Sequence, residues 1–329
     1  MADVSLVFGR RPLIRAGLLN RGMMTTQAYQ ARTWVSESVL DAIGNTPLVE
    51  VEPGIFAKLE YLNPSGSIKA RIAKYMVERA EAEGILTKGM TIVEASSGNT
   101  GNAMSMVAAV KGYRMIVVMP TGLSTERRKI SVGFGAEVRE VGDFHVNAAL
   151  EYARELGSKP GYFNPGQFDS EWNVEENRTW LGPEIVAQLE GRTPDAVVMG
   201  VGTGGTLIGV SMALKAVNPS LRVVGVEPDE SCTILCGEVH HHQIEGISDG
   251  FVPGIFDRHR HMVDDLIAVT SADSIFEMHR LARELGTLVG PSSGAHLIAA
   301  RKIKAEHPEL ETVITFFCDE GEKYLAEYF

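Results

Sequence analysis

Several short segments of this chain are apolar almost throughout, where a half-buried strand would alternate, and that pattern leaves few folds open. TIVEAS (91–96), RMIVVMP (114–120), DAVVMGVG (195–202), RVVGVEP (222–228) and TVITFFCD (312–319) read as strands covered on both faces. Helical periodicity separates them: Ile68, Ile72, Met76 and Ala80 fall on one stripe, and Ile275, Met278, Leu281 and Leu285 on another. Each stripe should lay its helix on a sheet. Strands alternating with helices predict an α/β protein with parallel sheets joined by crossover helices. No stretch repeats at a fixed period, which argues against a solenoid or propeller.

At 329 residues the chain has room for two domains. The stretch richest in Gly and Pro, GSKPGYFNPGQ (157–167), marks the expected crossing between a domain of residues 37–165 and one of residues 166–329. Residues 228–265 form a second long irregular stretch, a length usually kept for functional loops. Ahead of both domains, residues 1–36 read as an arm. It carries Arg10, Arg11, Arg15, Arg21 and Arg32 and no acid between Asp3 and Glu37, so it reads as a flexible arm, an over-long start before Met23 or Met24, or an organelle transit peptide.

Charge excludes one class of partner. With 42 acidic and 31 basic residues the net charge is -11, opposite to the basic footprint of a nucleic-acid binder. No apolar run approaches the roughly 18 residues that cross a bilayer. Cys232, Cys236 and Cys318 are too few and too clustered for a disulfide framework, which fits a reducing compartment, most simply the cytoplasm.

Three glycine-rich turns each join a strand to a helix, where outward N–H groups and the helix dipole favour an anion. They are SSGNTG (96–101), GVGTGGT (200–206) and GPSSGA (290–295). Taken alone, Gly200, Gly202 and Gly205 with Glu227 satisfy a dinucleotide fingerprint. Such a unit normally opens a nucleotide-binding half, whereas here it lies past the middle of the chain. NPSGSIKAR (63–71) sets Lys69 just inside a helix start, a position that lowers a lysine's pKa unless the side chain reaches solvent, and such a lysine attacks aldehydes. An ordinary surface lysine is the alternative. Cys232, Cys236 and His240 to His242 are metal-ligating types without a tight zinc spacing. Cys318, ending a strand, reads as a small buried hydrophobe.

In this order the motifs resemble the cysteine synthase and cystathionine β-synthase family, pyridoxal-phosphate enzymes of fold type II. IGNTPLV (43–49), NPSGSIKAR, SSGNTG, TERRK (125–129), GQF (166–168), GPE (182–184), GTGGT (202–206), GISDGFVP (246–253), GPSSGA and DEGEKYL (319–325) carry the likeness, which spans nearly all of the chain after residue 36. The resemblance implies a tryptophan synthase β-like fold, a homodimer, and pyridoxal 5'-phosphate in the cleft between domains, with closure of the first domain over substrate. Lys69 would bind the cofactor covalently and move the α-proton. Gly202, Thr203, Gly204, Gly205 and Thr206 would hold its phosphate, Asn99 its ring hydroxyl, and Ser292 would face its pyridine nitrogen. Ser96, Ser97, Gly98, Thr100 and Gln167 would bind the substrate carboxylate.

A serine at the ring nitrogen need not keep it protonated, so a full carbanion is less stabilised and β-replacement suits the site better than transamination. The implied reaction is replacement of the β-substituent of O-acetylserine or O-phosphoserine through an aminoacrylate intermediate, with sulfide as nucleophile, as in cysteine synthase. Homocysteine or an amine, giving cystathionine or a diaminopropionate-type product, is the alternative; a non-catalytic partner-binding homologue and a nicotinamide-dependent oxidoreductase are rivals of other classes. The chain departs from its relatives at Ala70, Ala95, Ser96, Asn102, Trp180 and Leu181, positions expected near the active site.

Overall fold

Two parallel sheets carry the chain, and their membership does not follow sequence order. The structure, a computed structural model, describes residues 35–122, 125–142 and 146–329; the expected arm lies outside these residues except for its last two. Ser36–Phe329 forms one compact unit.

The smaller sheet has strand order β5-β4-β3-β6 and is wholly parallel. Its strands are β3 (Thr91–Ala95), β4 (Arg114–Pro120), β5 (Glu137–Val141) and β6 (Tyr162–Phe163). The larger sheet runs β1-β2-β10-β7-β8-β9, from β1 (Leu48–Glu52), β2 (Ile55–Leu59), β7 (Ala196–Gly200), β8 (Arg222–Pro228), β9 (Asp265–Val269) and β10 (Val313–Phe317). All its pairings are parallel except the β1–β2 hairpin. The class expected from the apolar runs therefore holds, and those runs match β3, β4, β7, β8 and β10, whose residues are buried at nearly every position. Sheet membership does not follow the expected partition at residue 165. Residues 48–59 precede the smaller sheet yet belong to the larger, because β2 lies parallel beside β10, with Ile55 opposite Val313 and Leu59 opposite Phe317.

Helices α1 (Lys69–Ala82), α2 (Asn99–Lys111), α3 (Thr125–Gly133) and α4 (Val146–Gly157) come first. Then follow α5 (Glu171–Glu176), α6 (Gly182–Gln188), α7 (Gly205–Lys215), α8 (Gly254–His259), α9 (Ser271–Arg280) and α10 (Pro291–Glu306). The stripe Ile72, Met76 and Ala80 is buried in one core with Met104 and Val107 of α2. The second expected stripe needs correction. α9 packs mainly on α10 rather than on a sheet, and a π-helical turn, Leu281–Leu285, follows it. One extra residue in that turn advances the helical phase, so Leu281 is buried while Leu285 faces outward.

The cysteines depart from expectation as well. Cys232 and Cys236 are joined in a disulfide that closes a single turn, so these thiols are not free metal ligands. Cys318 is buried, as expected of a small hydrophobe, and burial pushes its thiol pKa up. Among the described residues no helix is long and apolar enough to cross a membrane.

Beneath the start of α1 lies a buried charge cluster. The Arg71 guanidinium donates to both oxygens of Glu60 at 2.8 Å and to both oxygens of Glu184 at 2.9 and 3.0 Å. Lys58 of β2 donates to Glu184 at 2.5 Å and to Gln188 at 2.9 Å. Paired with two cations, the Glu184 carboxyl is held down at about 2 despite its burial. Trp180 covers the cluster, with the Arg71 guanidinium 5.3 Å from its ring centre. Removing one partner leaves buried carboxylates uncompensated, so Arg71→Ala is expected to destabilise the fold by about 3–5 kcal/mol. Urea denaturation checks this, and a midpoint unchanged from wild type would refute it.

Candidate active site

The three glycine-rich turns and Lys69 meet at the carboxyl ends of parallel strands, the usual place for ligands in open α/β sheets. Lys69 is the first residue of α1, as its position after NPSGSI predicts. Its place is set by the end of β10: the Ile68 N–H donates to the Cys318 carbonyl at 2.8 Å, and Ser67 bridges Asp319. The lysine faces a cleft with about 650 Å³ of open space. Burial lowers its pKa, an effect opposed in part by Asp249 and Asp319.

The first turn follows β3 and opens α2. Ser96, Ser97, Gly98, Asn99 and Thr100 all line the cleft, but their side chains divide the work differently from expectation. The Ser96 hydroxyl turns inward and accepts from the Gly98 and Gly101 N–H groups at 3.0 and 2.9 Å, so it shapes the loop. Thr100 donates to the Gln167 side-chain carbonyl at 2.6 Å, while the Gln167 amide donates to Ala95 O at 2.8 Å. Gln167 thus clamps the loop to its own strand. Behind it, Glu94 accepts from the Ala95 and Gln167 N–H groups, yet burial still pushes its carboxyl up to about 7. The Ser97 hydroxyl donates to Asp249 at 3.4 Å. Asn99 donates to Asp319 at 2.8 Å and accepts from Lys323 at 3.0 Å, which leaves its second amide N–H for a ligand.

The second turn leads from β7 into α7. Gly202 and Thr203 line the cleft, while Gly204, Gly205 and Thr206 form the start of the helix behind them. Three features make this loop a cradle that larger residues would fill. A Cβ at Gly202 would strike the Gly246 carbonyl, one at Gly205 would strike Asn173, and Gly204 sits at φ +85°. The Thr203 hydroxyl accepts from Asn173 at 3.0 Å and from the Gly205 N–H at 3.2 Å. Ser292, in the first turn of α10, is buried in the cleft wall.

Several residues in the cleft and behind it were not singled out beforehand. His296 accepts from the Gly200 N–H at 2.8 Å and donates through Nδ1 to the Phe316 carbonyl at 2.9 Å. It joins β7 to β10, and burial holds its pKa down at about 4. Asp319 accepts from Tyr324 at 2.6 Å as well as from Asn99, and its second oxygen is buried with no partner among the described residues. Lys323 donates to the Ser65 and Gly66 carbonyls at 3.0 and 2.9 Å and so ties the chain's end to the loop before Lys69. Arg127 of TERRK pairs with Glu245 at the mouth of the cleft. The motifs DEGEKYL and TERRK contain four of these residues, Asp319, Lys323, Tyr324 and Arg127, but carried no roles for them.

The departures from the family pattern surround the site unevenly. Asn102 lies inside α2, where it accepts from Ser131 at 2.7 Å, and Trp180 covers the Arg71 cluster. Neither lines the cleft.

The sequence pattern of the pyridoxal-phosphate-dependent enzymes matches residues 39–319. The chain belongs to that family. Its similarity to individual members covers most of the chain. The cysteine synthase of Staphylococcus aureus is 40% identical over 298 residues, 88% of this chain and 96% of that one. The O-ureido-L-serine synthase of Streptomyces lavendulae is 39% identical over 88% of this chain and 91% of its own. A crystal structure of the O-acetylserine-dependent cystathionine β-synthase of Helicobacter pylori superposes with a TM-score of 0.83 at 34% identity, covering 89% of this chain and 98% of that one. Fold type II and dependence on pyridoxal phosphate, both implied by the early resemblance, hold; the dinucleotide fingerprint at 200–205 is instead part of this fold.

The residues present fit the cofactor: the site pairs a lysine of lowered pKa with a glycine cradle at the N-terminus of an eleven-residue helix.

The buried histidine has a pH signature. The unfolded chain takes up the His296 proton near pH 6.5, whereas the folded protein defers it to about 4, so acidification across that window favours unfolding. The loss from this residue is on the order of 3 kcal/mol by pH 4. Between pH 7 and 4.5, urea denaturation should therefore show wild type losing more stability than His296→Gln; equal losses would overturn the assignment.

Proposed function

We propose that this enzyme exchanges the β-substituent of an activated serine, O-acetylserine or O-phosphoserine, for a small nucleophile, in the manner of cysteine synthase. The observation that carries the reading is the convergence of Lys69, the 96–101 loop and the 202–206 cradle on one cleft. Similarity to a cysteine synthase and to an O-ureido-L-serine synthase supports it, and sulfide is the simplest nucleophile.

Lys69 would hold the cofactor through Nζ, with Gly202 to Thr206 on its phosphate, Asn99 on its ring hydroxyl and Ser292 at its ring nitrogen. When bound, pyridoxal phosphate supplies an electron sink at the substrate's α-carbon. The protein's own contribution is position and proton handling. N–H groups of the 96–101 loop, at the N-terminus of a thirteen-residue helix, would bind the substrate carboxylate. Gln167 and the Ser96 hydroxyl would act at one remove, by holding that loop in shape. Freed by substrate, Lys69 would take the α-proton; its lowered pKa favours the neutral amine that this needs. A hydroxyl at Ser292 would not need to keep the ring nitrogen protonated, a setting that suits loss of the β-group better than transamination.

We further read the enzyme as a cytoplasmic homodimer in which the smaller sheet, β3 to β6, and the helices packed on it close over substrate.

Wild type reconstituted with pyridoxal phosphate should show a visible absorption band that disappears in Lys69→Ala. It should release acetate from O-acetylserine or phosphate from O-phosphoserine, and Lys69→Ala should lose at least three orders of magnitude in rate. A band that survives in Lys69→Ala, or release from neither donor, would sink the reading.

A further inference from the structure

The Cys232–Cys236 disulfide takes no part in the chemistry above, and its structural worth is small. It joins residues four apart, and a cross-link stabilises a chain less the shorter the loop it closes. On the cytoplasmic reading above, a disulfide is a redox-sensing or catalytic group more often than a structural one. Its two ends also differ in access: Cys236 is an exposed residue, whereas Cys232 is buried.

The turn that the bridge closes is wired to the cleft. Inside it, the Ile234 and Leu235 N–H groups donate to the two oxygens of Glu227 at 2.9 and 3.0 Å. Glu227 lies near the end of β8 and is fully buried, and the Ser248 hydroxyl donates to it at 3.5 Å. Ser248 sits at φ +50°, a left-handed conformation that a residue with a side chain keeps only where its surroundings impose it. Three groups impose it here. Glu227 accepts from the hydroxyl, the Val201 carbonyl accepts from the N–H at 3.0 Å, and the His242 ring donates to the carbonyl at 3.0 Å. Around Ser248, the residues Glu245, Gly246, Ile247 and Asp249 line the catalytic cleft. The Gly246 carbonyl stands where a Cβ on Gly202 would be, so this loop is one wall of the glycine cradle.

We propose that Cys232–Cys236 is a thiol–disulfide exchange site for small-molecule thiols, and that its state decides how firmly the 245–249 loop is held against the cradle. In the opening direction a small thiolate attacks Sγ of the exposed Cys236. A mixed disulfide forms there, the bond between the two cysteines breaks, and its electron pair leaves on Cys232. A second thiolate attacks the small molecule's sulfur in the mixed disulfide and frees Cys236. Two small thiols are thereby oxidised to one disulfide, the bridge is reduced by two electrons, and the two protons end on Cys232 and Cys236. A small-molecule disulfide drives the reverse sequence. With the bridge open the 232–236 turn is free to unwind, and Glu227 then loses the N–H groups that compensate it. Burial already pushes that carboxyl's pKa up, so the protonated form is favoured and Ser248 faces a changed partner.

The test equilibrates the holoenzyme with mixtures of reduced and oxidised glutathione, removes the glutathione, and counts open thiols by alkylation and mass spectrometry. Cys232 and Cys236 should pass together from bridged to alkylated as the reduced share rises. Backbone hydrogen exchange across residues 244–250 should be at least fivefold faster in the reduced form, with β3 to β5 unchanged. Dialysis should strip pyridoxal phosphate from the reduced form at least threefold faster. Cys236→Ser, a change at an exposed position, should behave as the reduced form at every glutathione ratio. A bridge that no ratio opens or closes overturns the proposal, as does equal exchange or equal cofactor loss in the two states. A folded Cys236→Ser that exchanges like the oxidised wild type overturns it too. None of these readouts uses turnover, so they stand apart from the β-replacement reading.

Discussion

Lys69 owes its position to a charge cluster that water does not reach. Arg71 follows it by two residues, and the guanidinium grips Glu60 from the turn after β2 and Glu184 from α6. The first turn of α1 is thereby tied to the larger sheet on one side and to the helix layer on the other. Burying these charges is costly, and well-packed apolar residues would stabilise the protein as much or more. What the cluster contributes is direction. A bidentate guanidinium tolerates little rotation, so the helix start cannot turn about its axis without breaking several charged hydrogen bonds at once.

A neighbouring carboxyl shows how the cluster is kept in balance. Glu176 is fully buried beside it, and neither oxygen has a hydrogen-bond partner among the described residues. Burial pushes its pKa up to about 8, so at neutral pH it stays protonated and adds no third negative charge to Glu60 and Glu184. The cleft above is treated in the same way. Cys318 and His296 are held neutral by burial, and Glu94 sits near its titration point, so the field that Lys69 senses comes chiefly from Asp249 and Asp319.

Local pattern was enough to read strands buried on both faces, the turns that follow them and the lysine at a helix start, because each rests on contacts within a few residues. Pairings between distant residues were not readable in the same way. Nothing in the sequence near residue 55 says that β2 will lie against β10, more than 250 residues later, and the partition at residue 165 does not take that pairing into account. The phase slip at Leu281–Leu285 was hidden because a π-turn keeps an ordinary helical composition. His296 looked like one polar residue within α10; its role depends on Gly200 and Phe316, which come together only when β7 and β10 pair. The links among Asn99, Asp319 and Lys323 join residues more than 200 positions apart, and no spacing rule anticipates them.

That β2–β10 pairing also governs the order in which the molecule can be made. β10 is the last of these ten strands to emerge in synthesis, yet it lies inside the larger sheet, between β2 and β7. Until it arrives, the hairpin of β1 and β2 has an open edge and no parallel neighbour, and β7 has a second open edge facing the same gap. The smaller sheet is under no such constraint, since all its strands lie between residues 91 and 163 and can pair as they appear. The nascent chain therefore passes through a stage in which one sheet is complete while the other waits with two unsatisfied edges, a window in which pairing with another chain competes with the final closing strand.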